Sequence, residues 1–372
     1  MALGQRDTRQ LVLMTGWDAT ELNNFRLQDG TTYAQVASQM NAALAALNAE
    51  LTNDPLWASL VSYTDQPTVE YRVGVSNGFE EHTEYGRPDP KRADTEGHML
   101  PLKAYDRMLG WTWDYLRQAR LDQVQADIAD AIKDARDLVR VRILTRLLKR
   151  TDDSGKANGL GTSGYSPGFA TTAAQTNVDF TPPSYGGATF ASTHEHYVPI
   201  AGGAFTNAVF SDIKAELFEH GHMPPYDVII GSSDETTVKG LSDFVPVGES
   251  LVAYGGNATL ARLSGEEQAP GVYYIGAIHD CAVRVVPGMP QYYGFGWKSY
   301  GRNSQRNPLR IRLGKGQRAL QFVAMPDPNG GSALSPLQNL MLFTELGVGV
   351  GDRTNGTPRY VNNAAWSDGT PT

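Results

Sequence analysis

The sequence predicts an α+β chain on three observations: a charged excursion flanked by strand-like alternation, a helix-length run free of Gly and Pro, and later strands and helices in no regular alternation. The excursion, Glu80 to Gly97 (EEHTEYGRPDPKRADTEG), holds nine charged residues and two prolines among its 18 positions. It therefore has little apolar surface to offset the entropy of ordering it alone. Before it, TVEYRVGVS sets Val69, Tyr71, Val73 and Val75 on one side and Glu70, Arg72 and Ser76 on the other, the period of a half-buried strand. After it, HMLPLKAYDRML turns apolar again. Pro67 to Leu109 reads as a long two-stranded tongue with a polar tip, with Asn77-Gly78 as an alternative tight hairpin. A loop this long inside a compact domain marks either an ordered contact with another chain or a floppy insertion.

An aromatic knot (Trp111, Trp113, Tyr115) leads into the second feature. From Asp114 to Arg150 there is no Gly or Pro, and Leu121, Val124, Ile128, Ala131, Ala135, Leu138, Val141, Leu144 and Leu148 recur at helical steps, predicting one buried stripe. Such a helix spans roughly 50 Å. Aspartates crowd its first part (Asp114, Asp122, Asp127, Asp130, Asp134, Asp137) and basic residues its end (Arg136, Arg140, Arg142, Arg146, Lys149, Arg150), the polarity the helix dipole favours. Dipole matching with a solvated face accounts for the basic end more simply than a nucleic-acid contact.

Elsewhere, an amphipathic helix is expected from Thr32 to Leu51, with Tyr33, Val36, Met40, Leu44, Leu47 and Leu51 on one face after an Asp29-Gly30 turn; it reads as an arm that packs on something else. The run from Thr151 to Gly187 is rich in Gly, Ser, Thr and Pro and reads as a surface loop. A helix follows from Asn207 to Glu219, stopped at His220-Gly221, then a buried strand at Tyr226 and a short helix capped by Ser233 or Asp234. GVYYIGAIHDCAVRVVP gives two strands around a turn near His279-Asp280, and PLRIRLG, RALQFVAM and LMLFTELGVGV add further strands. No internal repeat is visible.

The composition bounds the function. The 372 residues are 41% hydrophobic and 19% charged, enough to bury a sizeable core in two or three units. A net charge of -8 and a pI near 5.4 argue against affinity built on neutralising many phosphates. Cys281, the single cysteine, lies in a strand-like run and reads as a buried thiol, which excludes an internal disulfide and fits cytoplasmic synthesis. The first residues lack the apolar core of a signal peptide, and no apolar stretch is long enough to span a membrane.

Gly159, Gly161 and Gly164 match the dinucleotide-binding pattern, but a helix and a polar loop precede them and Ser166-Pro167-Gly168 follow, so the strand-turn-helix context is missing. Two H-x-H pairs, His194/His196 and His220/His222, have the residue types for a divalent metal. The competing reading is ordinary surface and helix-terminal histidines, since pairs so far apart need not meet. Carboxylate pairs such as Glu80-Glu81 and Glu266-Glu267 sit in polar loops and read as solvated surface. No catalytic, cofactor-binding or metal-binding residue is assigned from these patterns, and no cofactor is expected.

Taken in order, arm, tongue, HMLPLKAYDRMLGWTWDYL, spine-length helix, EHGHMPPYDVIIGSSDETTVKGL and VYYIGAIHDCAVRVVPGMP, the chain resembles the major capsid protein of tailed bacteriophages, with the Hong Kong 97-type shell fold, over roughly residues 20 to 350. The resemblance implies an amino-terminal arm (1-66), an extended loop (67-109) lying over a neighbouring subunit, a peripheral domain (110-225) with a spine helix at 114-150, an axial domain (226-300), and return strands with a carboxy-terminal tail (301-372). It implies no enzyme but a structural subunit whose pentamers and hexamers close an icosahedral shell around double-stranded DNA. Intersubunit contacts are then expected from Glu80, Glu81, Glu84, Arg87, Lys91, Arg92, Asp94 and Glu96, which would set register by charge complementarity. The implied partners are further copies of the chain, a portal protein, a decoration protein and, because the arm starts almost at Met1, a separate scaffolding protein. The implied location is the virion capsid, made in the host cytoplasm. A lysine-to-asparagine cross-link of the kind some relatives carry is not expected from Lys91 or Lys103. The stretch beyond Pro326, with PDPNGGSALSP and a polar tail from Gly351, is expected to fold onto the outside or a neighbour. An encapsulin-like nanocompartment is the alternative, and a metal-dependent hydrolase using His194, His196, His220 and His222 the remote one.

Overall fold

In the computed structural model, which describes residues 26–73, 94–156, 163–172, 180–246, 272–326 and 339–372, an Asx turn at Asp29 and the left-handed Gly30 (φ 86°) lead into helix α1 (Tyr33–Asn53). Its buried residues are Tyr33, Val36, Ala37, Met40, Leu44, Leu47 and Leu51, the face the spacing predicts. Asp54 caps α2 (Pro55–Leu60), its Oδ1 accepting from the amides of Leu56 (2.9 Å) and Trp57 (3.3 Å), with Pro55 at the first helical position where no amide partner is needed. Strand β1 (Val61–Thr64) follows, then β2 (Thr68–Val73) and β3 (Asp94–Met99), paired antiparallel from Thr68↔Met99 to Val73↔Asp94. That register rules out Asn77-Gly78 as the two-residue turn between these strands, although both residues lie outside the described set. The tongue's second strand also stops at Met99, short of the expected Leu109. Strand β4 (Lys103–Gly110) pairs elsewhere.

The helix expected to run unbroken over 114–150 is two helices, α3 (Trp113–Gln118) and α4 (Leu121–Leu148). Ala119 adopts extended backbone (φ -74°, ψ 150°), and its carbonyl is taken by the amide of Gln28 (3.0 Å). The carboxylate of Asp29 accepts from the Leu121 amide (2.8 Å) at the start of α4. The buried stripe also drifts. Val124, Ile128, Ala131, Ala135, Leu144 and Leu148 are buried as expected, Leu121, Leu138 and Val141 are half-buried, and Ile132, Val139, Ile143 and Leu147 are buried in addition, because a helix of 3.6 residues per turn rotates away from a stripe spaced mostly at three. Among the described residues no helix is long and apolar enough to cross a membrane.

The chain then forms hairpin β5–β6 (Asp153–Lys156, Ser163–Ser166), β7 (Val198–Pro199), α5 (Asn207–Glu219), β8 (Tyr226–Ile230), α6 (Glu235–Lys239), β9 (Val245–Pro246), β10 (Tyr273–Ile278), β11 (Cys281–Val285), β12 (Tyr293–Trp297), β13 (Leu309–Leu313), β14 (Val323–Pro326), β15 (Asn339–Val350) and β16 (Thr357–Tyr360). Gly164 of the dinucleotide-like pattern belongs to that hairpin. His279 and Asp280, both with positive φ (47° and 67°), form the expected two-residue turn joining β10 to β11. Asp234 does not cap α6 through its side chain as expected; its Oδ2 accepts from the Tyr292 amide (2.9 Å).

Two compact units result. The first comprises residues 1–53, 103–140 and 319–346. Within it β15 pairs antiparallel with β4 (Asn339↔Gly110 to Leu346↔Lys103) and with β14 (Val323↔Phe343 to Pro326↔Leu340). Helix α1 is held to the same unit: Glu50 forms a bidentate pair with Arg136 (2.6 to 3.0 Å), and Asn48 exchanges hydrogen bonds with the backbone of Phe322. The expectation of an arm packed elsewhere is thus corrected for α1, whose apolar face is covered by its own chain. Trp111 is buried, its indole N–H donating to Asp127 (2.7 Å), whereas Tyr115 is exposed.

The second unit comprises residues 54–102, 141–318 and 347–372. Its main sheet has seven strands in the order β7-β16-β12-β8-β11-β10-β9. Val209, Phe210, Ile213 and Leu217 of α5 pack with Tyr226, Val228, Ile230, Val283 and Val285 of the sheet and with the fully buried Cys281, whose thiol pKa burial raises to about 12. Gly294 and Gly296 let this layer approach β12: a Cβ at Gly296 would overlap the Ile213 side chain, and one at Gly294 would lie 2.9 Å from the Phe205 ring.

The first half of the tail from Gly351, expected outside, enters this core, whereas residues 362–372 are mostly exposed, as expected. Residues 351–361 are buried except for the partly exposed Asp352 and Tyr360, and many of their polar groups are paired inside the protein. Arg353 donates to the Gly168 carbonyl (3.1 Å) and lies over the Phe180 ring; Asn355 bonds Lys298 and Arg306 backbone groups; Arg359 pairs with Glu216 of α5 and donates to the His196 carbonyl (3.2 Å). Ser166 to Thr171, expected on the surface, are buried against the same segment. The basic end of α4 is likewise less solvated than expected: buried Arg146 donates to the carbonyls of Ser166 (3.0 Å), Lys149 and Thr151 (3.1 Å), closing its own helix terminus.

Replacing Arg359 by Ala leaves Glu216 as an uncompensated buried charge and is expected to cost about 3–5 kcal/mol in denaturant unfolding; adding Glu216→Gln recovers part of that loss. A second expectation concerns buried His98, whose Nε2 donates to the Val350 carbonyl (2.9 Å) and whose pKa burial, then the Arg353 charge, lowers to about 3. The depressed value means its contribution is complete above pH 6.5 and is lost as pH falls towards 3. Unfolding free energy should therefore drop more steeply across that window than in His98→Gln, by up to about 1.4 kcal/mol per pH unit.

Candidate functional site

Two regions carry functional expectations, the tongue and the histidines. At the tongue's base Val69 faces His98 across the ladder and both are buried, while Thr68, Glu70 and Gly97 are exposed. Of the expected contact residues, Asp94 and Glu96 lie on β3 opposite Val73 and Tyr71. Glu80, Glu81, Glu84, Arg87, Lys91 and Arg92 lie outside the described residues.

The histidine pairs are brought together in the second unit, with one exception. Helix α5 ends in a Schellman motif: Gly221, at φ 80°, donates to the Phe218 carbonyl (2.9 Å) and the His222 amide to that of Leu217 (3.0 Å). This ending holds His220 at the C-cap. His194 and His196 come from the loop before β7, where the His196 amide donates to the Ala170 carbonyl (2.9 Å) and the Tyr197 hydroxyl to the Lys149 carbonyl (2.9 Å). Glu195, between them, turns the other way to Arg150 (2.6 Å) and Thr171 (3.1 Å).

The three Nε2 atoms form a nearly equilateral triangle: His194 to His220 3.0 Å, His194 to His196 3.1 Å, His196 to His220 2.9 Å. His196 Nδ1 lies 2.8 Å from the Gly356 carbonyl oxygen, which can only accept, so Nδ1 carries the proton and Nε2 presents its lone pair. Glu219 brings Oε1 to 3.3 Å from His194 Nε2 and 3.6 Å from His220 Nε2. Phe190 covers the rings of His194 and His220. Burial is the largest cause lowering all three pKa values, that of His220 to about 2 and that of His196 well below its ordinary value. All three rings are therefore neutral at neutral pH.

His222 stands apart, bonded to the Tyr300 hydroxyl (2.7 Å) and Thr354 (3.1 Å). The spacing of the pairs did not reveal their convergence, because the loop and the helix end meet only through tertiary packing. Glu219 was missed as well, although its place beside His220 at a helix terminus was the available signal.

No protein-family model matches the chain, and no curated protein matches it. Among solved structures, one from Mycobacterium phage Patience is 18% identical, with a TM-score of 0.62 and coverage of 95% of this chain and 94% of that one. The asymmetric unit of the bacteriophage PhiM1 mature capsid is 10% identical, with a TM-score of 0.45 and coverage of 82% and 87%. A virus-like particle from Pyrococcus furiosus is 10% identical, with a TM-score of 0.39 and coverage of 87% and 98%. Only the first likeness is close enough to define an architecture, and it spans nearly the whole of both chains. The chain has the Hong Kong 97-type fold.

Proposed function

We propose that the chain is the structural subunit of an icosahedral viral shell, assembling as pentamers and hexamers around double-stranded DNA. The observation that carries this reading is the Hong Kong 97-type fold, matched over 95% of the chain. In this reading residues 1-66 are the arm and the β2–β3 hairpin, with the excursion between its strands, is the extended loop; β4 belongs with β15 instead of the loop, and the seven-stranded sheet joins strands from the expected peripheral range (β7, β16) with those of the expected axial range (β8 to β12).

The base of the tongue supports the extended-loop reading. Six residue pairs of β2 and β3 are in register, Val69 and His98 anchor them in the second unit, and the charged excursion continues beyond the last pair. A tip with so little apolar content gains order mainly from a partner surface, and charges at such a contact set register more than affinity. Glu80, Glu81, Glu84, Arg87, Lys91, Arg92, Asp94 and Glu96 are the residues proposed for that contact. The net charge of -8 suits a wall that confines nucleic acid without gripping it. A separate scaffolding protein, a portal protein and a decoration protein are the proposed helpers. The nanocompartment reading gains no specific observation; of the hydrolase reading's four histidines, His194, His196 and His220 meet, but His222 faces Tyr300 and Thr354 instead of completing the site.

The test replaces Glu80 to Arg92 by a Gly-Ser linker of equal length, under conditions where the parent sequence gives closed shells. The variant is expected to keep the parent's thermal unfolding, because none of the described core is touched, and to yield free subunits or capsomers in electron micrographs. Closed shells of normal size and number would contradict the proposed latch.

A further inference from the structure

We propose that His194, His196 and His220 bind one divalent transition-metal ion, zinc by preference, with the Glu219 carboxylate as fourth ligand, and that the ion fastens the loop before β7 to the C-terminal end of α5. This goes beyond the shell reading and does not depend on it, since every residue involved belongs to one unit of one chain.

Proton counting makes the first case. Three Nε2 atoms lie within 2.9 to 3.1 Å of one another, and hydrogen bonds cannot satisfy all three contacts. His196 offers only a lone pair there, because its proton is committed to Gly356. If His194 and His220 both carry Nε2 protons, those two nitrogens confront each other donor to donor. If only one does, a lone pair meets a lone pair. A cation at the apex of the triangle removes the conflict by accepting all three lone pairs at once.

The dimensions fit such an ion. A triangle with sides near 3.0 Å has its centre about 1.7 Å from each nitrogen, so an ion at zinc's usual bond length of roughly 2.0–2.1 Å sits about 1.1 Å above the plane. Opening each edge by about 0.3 Å would give regular tetrahedral angles. Glu219 Oε1, 3.3 Å and 3.6 Å from two of the nitrogens, has the spacing of a fourth tetrahedral vertex. Imidazole with one carboxylate is a zinc donor set, and four protein ligands without an open position define a structural site rather than a catalytic one.

The surroundings are built for the same purpose. The Gly356 carbonyl fixes the tautomer and orientation of His196, the outer-shell role a backbone acceptor plays behind a ligating histidine. Its strand is held in turn by Arg359, which binds both Glu216 of α5 and the His196 carbonyl. Phe190 packs against two of the rings.

The experiment uses the full chain, stripped with a chelator that is then removed, and titrated with Co²⁺ alone. One equivalent should produce the intense visible absorption of a four-coordinate cobalt ion, which one equivalent of Zn²⁺ then bleaches; zinc should also raise the thermal midpoint. His194→Ala and His220→Ala are expected to lose stoichiometric binding, Glu219→Gln to alter the cobalt spectrum, and His279→Ala, a histidine outside the cluster, to bind as the parent does. Should a variant fail to fold, the parent protein still decides: a folded parent that takes up neither ion at one equivalent overturns the proposal. So does a folded His194→Ala protein with the parent's stoichiometry and spectrum.

Discussion

The second unit depends on burying a polar strand. β16 pairs with β12 on one side and β7 on the other, and its Arg359 meets Glu216 inside the protein with both side chains almost entirely shielded. A buried ion pair contributes little net stability against an apolar replacement, yet breaking it is severe, because the remaining charge has no solvent to fall back on. The pair therefore acts as a registration device more than as a source of energy. It fixes where α5 lies along β16, and the Arg359 contact with the His196 carbonyl fixes the loop before β7. Gly356, three residues earlier, orients the His196 ring. Sheet, helix and histidine cluster are positioned by one short stretch near the end of the chain.

That stretch explains where the sequence was legible and where it was not. Periodicity located α1 with its buried face, α5 to its ends, and the turn at His279-Asp280, because in each case a local pattern and the tertiary burial agree. It failed for GDRTNGTPRYV, which carries the composition of a surface tail and is core. The polar groups of Arg353, Asn355 and Arg359 are paired with partners distant in sequence, which no local window contains. The break at Ala119 escaped for a related reason: nothing in the run from Asp114 to Arg150 opposes a helix, and the interruption is stabilised by Gln28 and Asp29, far upstream. The histidine pairs were visible as residue types, but their meeting was not, since it requires the Schellman ending of α5 and the buried loop together.

In the proposed shell, three features would divide the labour. The sheet of the second unit supplies rigidity, its core closed by α5 and by strands from distant parts of the sequence. The β2–β3 hairpin joins the charged excursion to an apolar foot at Val69 and His98. A metal-fastened loop would hold the segment before β7 in place.

The most direct test of this account is native-state hydrogen exchange read peptide by peptide across the second unit. If β16 organises the unit, amides in residues 353–361 exchange only through global unfolding, as slowly as those of Tyr226–Ile230 in the middle of the sheet, and both accelerate together in Arg359→Ala. Exchange in 353–361 that is orders of magnitude faster than in Tyr226–Ile230, with the sheet still protected, would show that the strand opens on its own and that the fold does not depend on it.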